Sequence, residues 1–155
     1  LVEYNGYKKK KCTKISFITD SKGIPINANI SGGKKCDSKI LASHFNEMLI
    51  DKKLNDKHKV YMLADSIYYV EEIKNLLVMN GYEYIIPPNI KNTKYIKIKK
   101  LTKKEKKFYI KRIKIEHTNS LLKSSRRLNC RYDHNLNTFY GSLWLSLIRI
   151  IIQKI

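Results

Sequence analysis

The first third of the chain alternates between β-rich and turn-forming residues. Two runs, Lys14 to Thr19 and Ile24 to Ile30, flank Asp20-Ser21-Lys22-Gly23, and runs joined by a short Gly-containing turn predict a β-hairpin. Ser31-Gly32-Gly33 is expected to break the second strand. Asp37-Ser38 then offers an N-cap for a helix through KILASHFNEMLI, with Ile40, Leu41, Phe45, Met48 and Leu49 as its apolar positions. After the polar run DKKLNDKHK, the short apolar stretch Val60 to Ala64 has the length of a buried strand and ends at Asp65. Ser66 to Asn80 reads as a helix, with Val70, Ile73, Leu76, Leu77 and Met79 apolar and Gly81 as its stop. Tyr84-Ile85-Ile86 reads as another strand, closed by Pro87-Pro88. Hairpin, helix, strand, helix and strand in that order predict a mixed sheet with helices packed on it.

The second half is patterned for helices. Asn89 to Lys104 is a basic, low-complexity link with the character of a surface loop. Thr102 with Glu105 three residues on matches a capping box, so a long helix is expected to start there and run through Lys106 to Arg131. On a continuous helix Tyr109, Arg112, Glu116 and Lys123 fall within an arc of about 60°, a polar stripe flanked by Phe108, Ile115 and Leu122 on one side and Ile110, Ile113 and Leu121 on the other. Lys111, Lys114, Thr118 and Ser125 fall on the far face. Such a stripe either turns inward towards a site or belongs to a solvated basic helix, and spacing alone leaves the two even. Asn137 to Gln153 is a last helix, with Phe139, Leu143, Trp144, Leu147 and Ile151 for core packing. No internal repeat is visible.

Composition narrows the class. At 155 residues, with 43% hydrophobic and 10% aromatic residues, the chain can form one globular domain with a real core. A formal net charge of +19, from 32 Lys and Arg against 13 Asp and Glu, exceeds what solubility needs and points to a polyanion. Nucleic acid comes first. A membrane surface comes second, because the basic residues are spread along the chain rather than gathered on one amphipathic helix. Cys12, Cys36 and Cys130 are odd in number and widely spaced, which argues against a disulfide framework or a zinc site and for a reducing compartment. The start has no signal-like apolar run, and LWLSLIRIIIQ is short and carries Arg149, so a soluble protein of the cytoplasm or nucleoid is expected, not a secreted one. The first residue is not Met, and a fragment of something longer is expected.

Candidate chemistry lies at two carboxylates. Asp65 sits at the carboxyl end of a predicted strand, where open α/β sheets gather ligands. Paired with a helix-borne carboxylate such as Glu116, it could share divalent metal ions for attack on a phosphate. The plainer alternatives are an N-cap for Asp65 and an intrahelical partner of Arg112 for Glu116. His44, His58, His117 and His134 show no metal-ligand spacing.

TKISFITDSKGIPI, SGGKKCDSKIL, YMLAD, GYEYIIPPN and YIKRIKIEHTNSLLKSSRRLNCRYD, taken together, resemble the catalytic domain of DDE transposases of bacterial insertion-sequence type, also found in large DNA viruses. The similarity runs over nearly the whole length. Tyr109, Arg112, Glu116 and Lys123 match the family's signature Tyr, Arg, Glu and Lys at its spacing. The resemblance implies an RNase H-like mixed sheet flanked by helices, Mg²⁺ or Mn²⁺ as cofactor, and cleavage and strand transfer at transposon ends. It makes Asp65 the second catalytic Asp and Glu116 the catalytic Glu, both metal ligands. It assigns Arg112 and Lys123 to phosphates and Tyr109 to the DNA backbone, with Arg126, Arg127 and Arg131 extending the track. Double-stranded DNA is the implied partner, a homodimer on DNA is left open, and the location is a cytoplasmic, nucleoid, viral or host compartment that holds DNA.

The chain departs from the pattern in three places. Nothing before Lys8 resembles the strand carrying the family's first Asp, so a domain lacking its first, central strand is expected, weakly active or inactive. Ser66-Ile67-Tyr68-Tyr69 stands where a KGYD-like run is usual, and Cys36 stands where a His often precedes the Asp matched by Asp37. Asp20 and Asp37 have ordinary turn and helix-start roles and are not expected to replace the missing acid. Two further readings remain: a non-catalytic basic DNA-binding remnant, and an RNase H-like nuclease with another substrate.

Overall fold

The computed structural model describes residues 2–7, 9–47, 59–89 and 100–155. Two compact units divide the chain, Leu1–Lys35 with Ile113–Ile155, and Cys36–Arg112. Both mix strands and helices, so the protein is α/β with small sheets.

In the first unit, β1 (Glu3–Asn5), β2 (Lys10–Thr19) and β3 (Pro25–Gly32) form an antiparallel sheet in the order β1-β2-β3. The hairpin forms for the local reasons its sequence gives. Asp20 Oδ1 accepts the N–H groups of Lys22 at 2.9 Å and Ile24 at 2.8 Å, and Gly23 takes φ 83°. The second strand is not broken at Ser31 as expected. Because β2 begins at Lys10, its Thr13 still pairs with Gly32, and the strand continues through both residues.

Three helices complete the unit: α4 (Ile113–Lys123), α5 (Arg126–Asn129) and α6 (Leu136–Lys154). Phe139, Leu143, Leu147 and Ile150 recur at offsets of four, four and three, one stripe of α6, and pack with Ala28, Ile30 and Leu122. Trp144, expected in this core, is 49% exposed, since it lies one helical step of about 100° off that stripe. Ile150 is buried where Ile151 was expected. Thr118, expected on the far face of its helix, is fully buried: its hydroxyl donates to the Gly23 carbonyl at 2.7 Å and stands 3.1 Å from Lys154 Nζ.

In the second unit β4 (Val60–Leu63) and β5 (Tyr82–Ile85) pair in parallel, joined by the crossover helix α2 (Glu71–Met79). Helix α1 (Asp37–Glu47) packs against α2, and α2 against β5. Ile40, Leu41, Ile73, Leu77, Tyr82, Ile85 and Ile86 are buried, with His44 fully enclosed and Phe45 5.6 Å from the Tyr82 ring. The N-cap expected at Asp37-Ser38 lies inside the helix. Met48, Leu49 and most of the polar run after them fall outside the described residues, as does most of the basic link.

Two expected helices are interrupted. Ser66 to Asn80 begins as a 3₁₀ turn, Ser66–Tyr68, and Val70 is extended (φ −125°, ψ 146°) before α2 starts. Met79, counted as apolar core, is 83% exposed, while Asn80 and Gly81 (φ 77°) end α2 as expected. The helix expected through Lys106 to Arg131 is four pieces: α3 (Lys103–Tyr109), a 3₁₀ turn over Ile110–Arg112, α4 and α5. Its start is as expected, with the Thr102 and Glu105 capping box formed.

Candidate functional site

Asp65 follows β4 directly and is exposed. Its Oδ1 accepts the Ser66 N–H at 2.6 Å and the Ser66 hydroxyl at 3.2 Å, capping the 3₁₀ turn. The turn packs against the start of α1. There burial, then the charges of Asp37, Asp65 and Cys36, push the Tyr68 phenol up to about 12. The Cys36 thiol is held below its ordinary range, first by the Ser38 hydroxyl 3.2 Å away and then by backbone N–H groups. The 36–112 unit therefore gathers Cys36, Asp37, Asp65 and Tyr68, a grouping that no spacing in the sequence announces. The nearest signal was the match of Asp37 and Asp65 to acids of one family.

Tyr109 ends α3 and Arg112 ends the following 3₁₀ turn. Both are half-buried, and the Arg112 guanidinium carbon stands 5.5 Å from the Tyr109 ring centroid. Glu116 and Lys123 lie on α4, in the other unit, and both are exposed. Within that unit the buried face of α4 is Thr118 and Leu122, so Glu116 and Lys123 of the polar stripe do not supply its core-facing side.

The arginines that follow differ in their commitments. Arg126, on α5, stands 5.8 Å from the Tyr132 ring. Arg127 is exposed and reaches the largely buried Asp133 carboxylate only at 4.0 Å. Arg131 is built into the fold: Nη1 donates to Thr13 Oγ1 at 2.7 Å, Nε donates to the Asp133 carbonyl at 2.9 Å, and the group lies 4.9 Å from the Phe139 ring. Arg149, which sequence reasoning passed over as a reason against a membrane span, donates to the Leu121 carbonyl at 3.2 Å and the Ser124 hydroxyl at 3.1 Å. It closes the end of α4, as a cation at a helix C-terminus should.

Among the described residues, no three or more His, Cys, Asp or Glu side chains stand close enough to hold a metal ion. Asp65 offers one carboxylate, half engaged by Ser66, which by itself is not a ligand set. No helix of the described residues is long and apolar enough to cross a membrane. Cys12, Cys36 and Cys130 are free thiols.

A basic α/β chain with a cation-rich helical segment carries the electrostatic footprint that suits a polyanion such as nucleic acid. The profile of the family described as Transposase DDE domain matches residues 3–148, and the chain belongs to that family. No curated protein and no solved structure shows a significant match. Transposases act on DNA, and the DDE family generally depends on divalent metal.

Proposed function

We propose that this chain is the catalytic domain of a DNA transposase of insertion-sequence type, acting by metal-dependent cleavage and strand transfer at transposon ends. The observation that carries this is the family match over residues 3–148, which contains Tyr109, Arg112, Glu116 and Lys123 at the family's spacing. In this reading the domain is a single RNase H-like one. Asp65 and Glu116 are its catalytic carboxylates and take part in holding Mg²⁺ or Mn²⁺. The metal would supply charge stabilisation to a phosphate under attack. Arg112, Lys123, Arg126 and Arg127 hold phosphates and Tyr109 lies along the backbone, with a homodimer on DNA as the assembly. The isolated chain is weakly active or inactive, and the loss of the usual run's glycine and second acid at Ser66-Ile67-Tyr68-Tyr69 agrees with drift from an active relative.

A second reading, a non-catalytic basic DNA-binding protein, is favoured by the charge of +19. Strand cleavage of a labelled duplex, followed with Mg²⁺ or Mn²⁺ and with chelator, separates the two. The first reading expects slow, metal-dependent cleavage that Glu116→Gln lowers by about 10²-fold or more while DNA binding persists. Binding with no metal-dependent cleavage by either protein is the outcome that leaves only the second.

A further inference from the structure

Between β1 and the end of β3, away from every residue assigned above, an open cavity of about 370 Å³ is lined by Glu3, Ile30, Ser31, Gly32, Lys34 and Lys35. Its floor is a turn fixed from three sides. The Lys35 N–H donates to the Gly32 carbonyl at 3.2 Å, Asn5 Nδ2 donates to the Gly33 carbonyl at 3.0 Å, and Lys14 Nζ donates to the Lys35 carbonyl at 2.7 Å. Over this turn lies the Glu3 carboxylate, which accepts the Lys34 N–H at 3.2 Å. It comes so close to Gly32 that a Cβ there would strike its Oε2, so a side chain at this position would push the end of Glu3 aside. Ser31, 6% exposed, lines the same cavity, and among the described residues its buried hydroxyl has no hydrogen-bond partner. A buried hydroxyl left unpaired is costly and demands an explanation.

An oxyanion on a backbone N–H, above a glycine that permits close approach and beside two exposed lysines, is the chemistry that receives a phosphate. We propose that the Ser31–Lys35 turn is a seat for a phosphate group and that Glu3 on β1 occupies it as an internal mimic, so that phosphate and Glu3 compete. A tetrahedral phosphate has more oxygens than a carboxylate, and the spare one meets the unsatisfied Ser31 hydroxyl. The seat is independent of the catalytic reading, since none of its residues is assigned to cleavage. The phosphate is either a DNA phosphodiester or a free phosphate.

Amide shifts of the full chain, titrated with inorganic phosphate and separately with a short DNA duplex, test this. Glu3→Gln keeps the side chain's length and removes its charge; it should tighten binding read at the Lys34 amide by about tenfold. Adding Ser31→Ala should remove most of that gain. A response to duplex alone assigns the seat to DNA, and a response to inorganic phosphate assigns it to free phosphate. If Glu3→Gln frees β1 instead, seen as loss of the Asn5 and Cys12 shifts, Glu3→Asp provides the second measurement and should tighten binding by a smaller factor. A change below about twofold in both variants, or a gain untouched by Ser31→Ala, overturns the proposal.

Discussion

Thr118 shows how much a single polar residue decides in the first unit. Its hydroxyl is enclosed between the Gly23 carbonyl and Lys154 Nζ, tying α4 to the hairpin turn and to the end of α6. Thr118→Val keeps the shape and removes one of the two side-chain donors to the Gly23 carbonyl, so a loss of about 0.5–1.5 kcal/mol is expected, measured as a lower denaturant midpoint at unchanged slope. A loss of a few tenths would mean that Lys154, 3.0 Å from the same carbonyl, satisfies it alone. Tyr68 makes a prediction about pH. Its folded pKa of about 12 lies above the ordinary value of about 10, so the folded state holds the phenol proton longer than the unfolded one. Its contribution is therefore intact below about pH 10 and is lost as pH rises through about 12, to the extent of about 2–3 kcal/mol. Tyr68→Phe should flatten the alkaline stability curve relative to wild type. Equal slopes for the two proteins between pH 10 and 12 would remove the phenol as the cause.

Among the elements, those specified by neighbouring residues were legible and those set by distant pairing were not. The β2–β3 hairpin needs only Asp20, Gly23 and two β-rich runs, and it stands where they place it. The Thr102 and Glu105 cap likewise acts within one turn. Strand β1 has three residues and exists by pairing with Cys12, Lys11 and Lys10, a partner that its own sequence does not name. The long helix failed for a different reason. A 3₁₀ turn advances about 120° per residue against 100° for an α-helix, so three residues, Ile110–Arg112, shift the phase by about 60°. That shift is as wide as the stripe drawn through Tyr109, Arg112, Glu116 and Lys123. Within α4 itself Thr118 does lie about 200° from Glu116 and about 140° from Lys123; periodicity placed it correctly away from them but left open that this face packs on the core of its unit, while family spacing, which counts residues rather than angles, was untouched. Helix α6 had no such break, and its stripe was found apart from one-step errors at Trp144 and Ile151. Leu143, fully buried at its centre, is the position on which the core turns: Leu143→Ala should cost about 3–5 kcal/mol, whereas Trp144→Ala should cost much less. Equal losses at the two positions would show that Trp144 is covered in solution.

For the molecule as a whole, charge is the property most directly tied to function. With +19 on 155 residues, DNA binding should be dominated by release of condensed counterions, and its affinity should fall linearly with salt on a logarithmic scale. Each phosphate contact adds about 0.9 to the slope. The structure separates cations that can take such contacts from those already spent. Lys123, Arg126 and Arg127 are exposed on α4 and α5, whereas Arg131 is bound to Thr13 and Asp133. Replacing the first three with Ala should therefore lower the slope by up to about 2.7 with little effect on folding. Arg131→Ala should instead destabilise the unit by about 1–3 kcal/mol by stripping the charged partner from Thr13 and the Asp133 carbonyl. Titrating a labelled duplex over a salt series with both proteins reads the difference, with thermal unfolding recorded beside it. A triple variant that binds with the wild-type slope would exclude α4 and α5 as the DNA track, and an Arg131→Ala protein of unaltered stability would return that arginine to it.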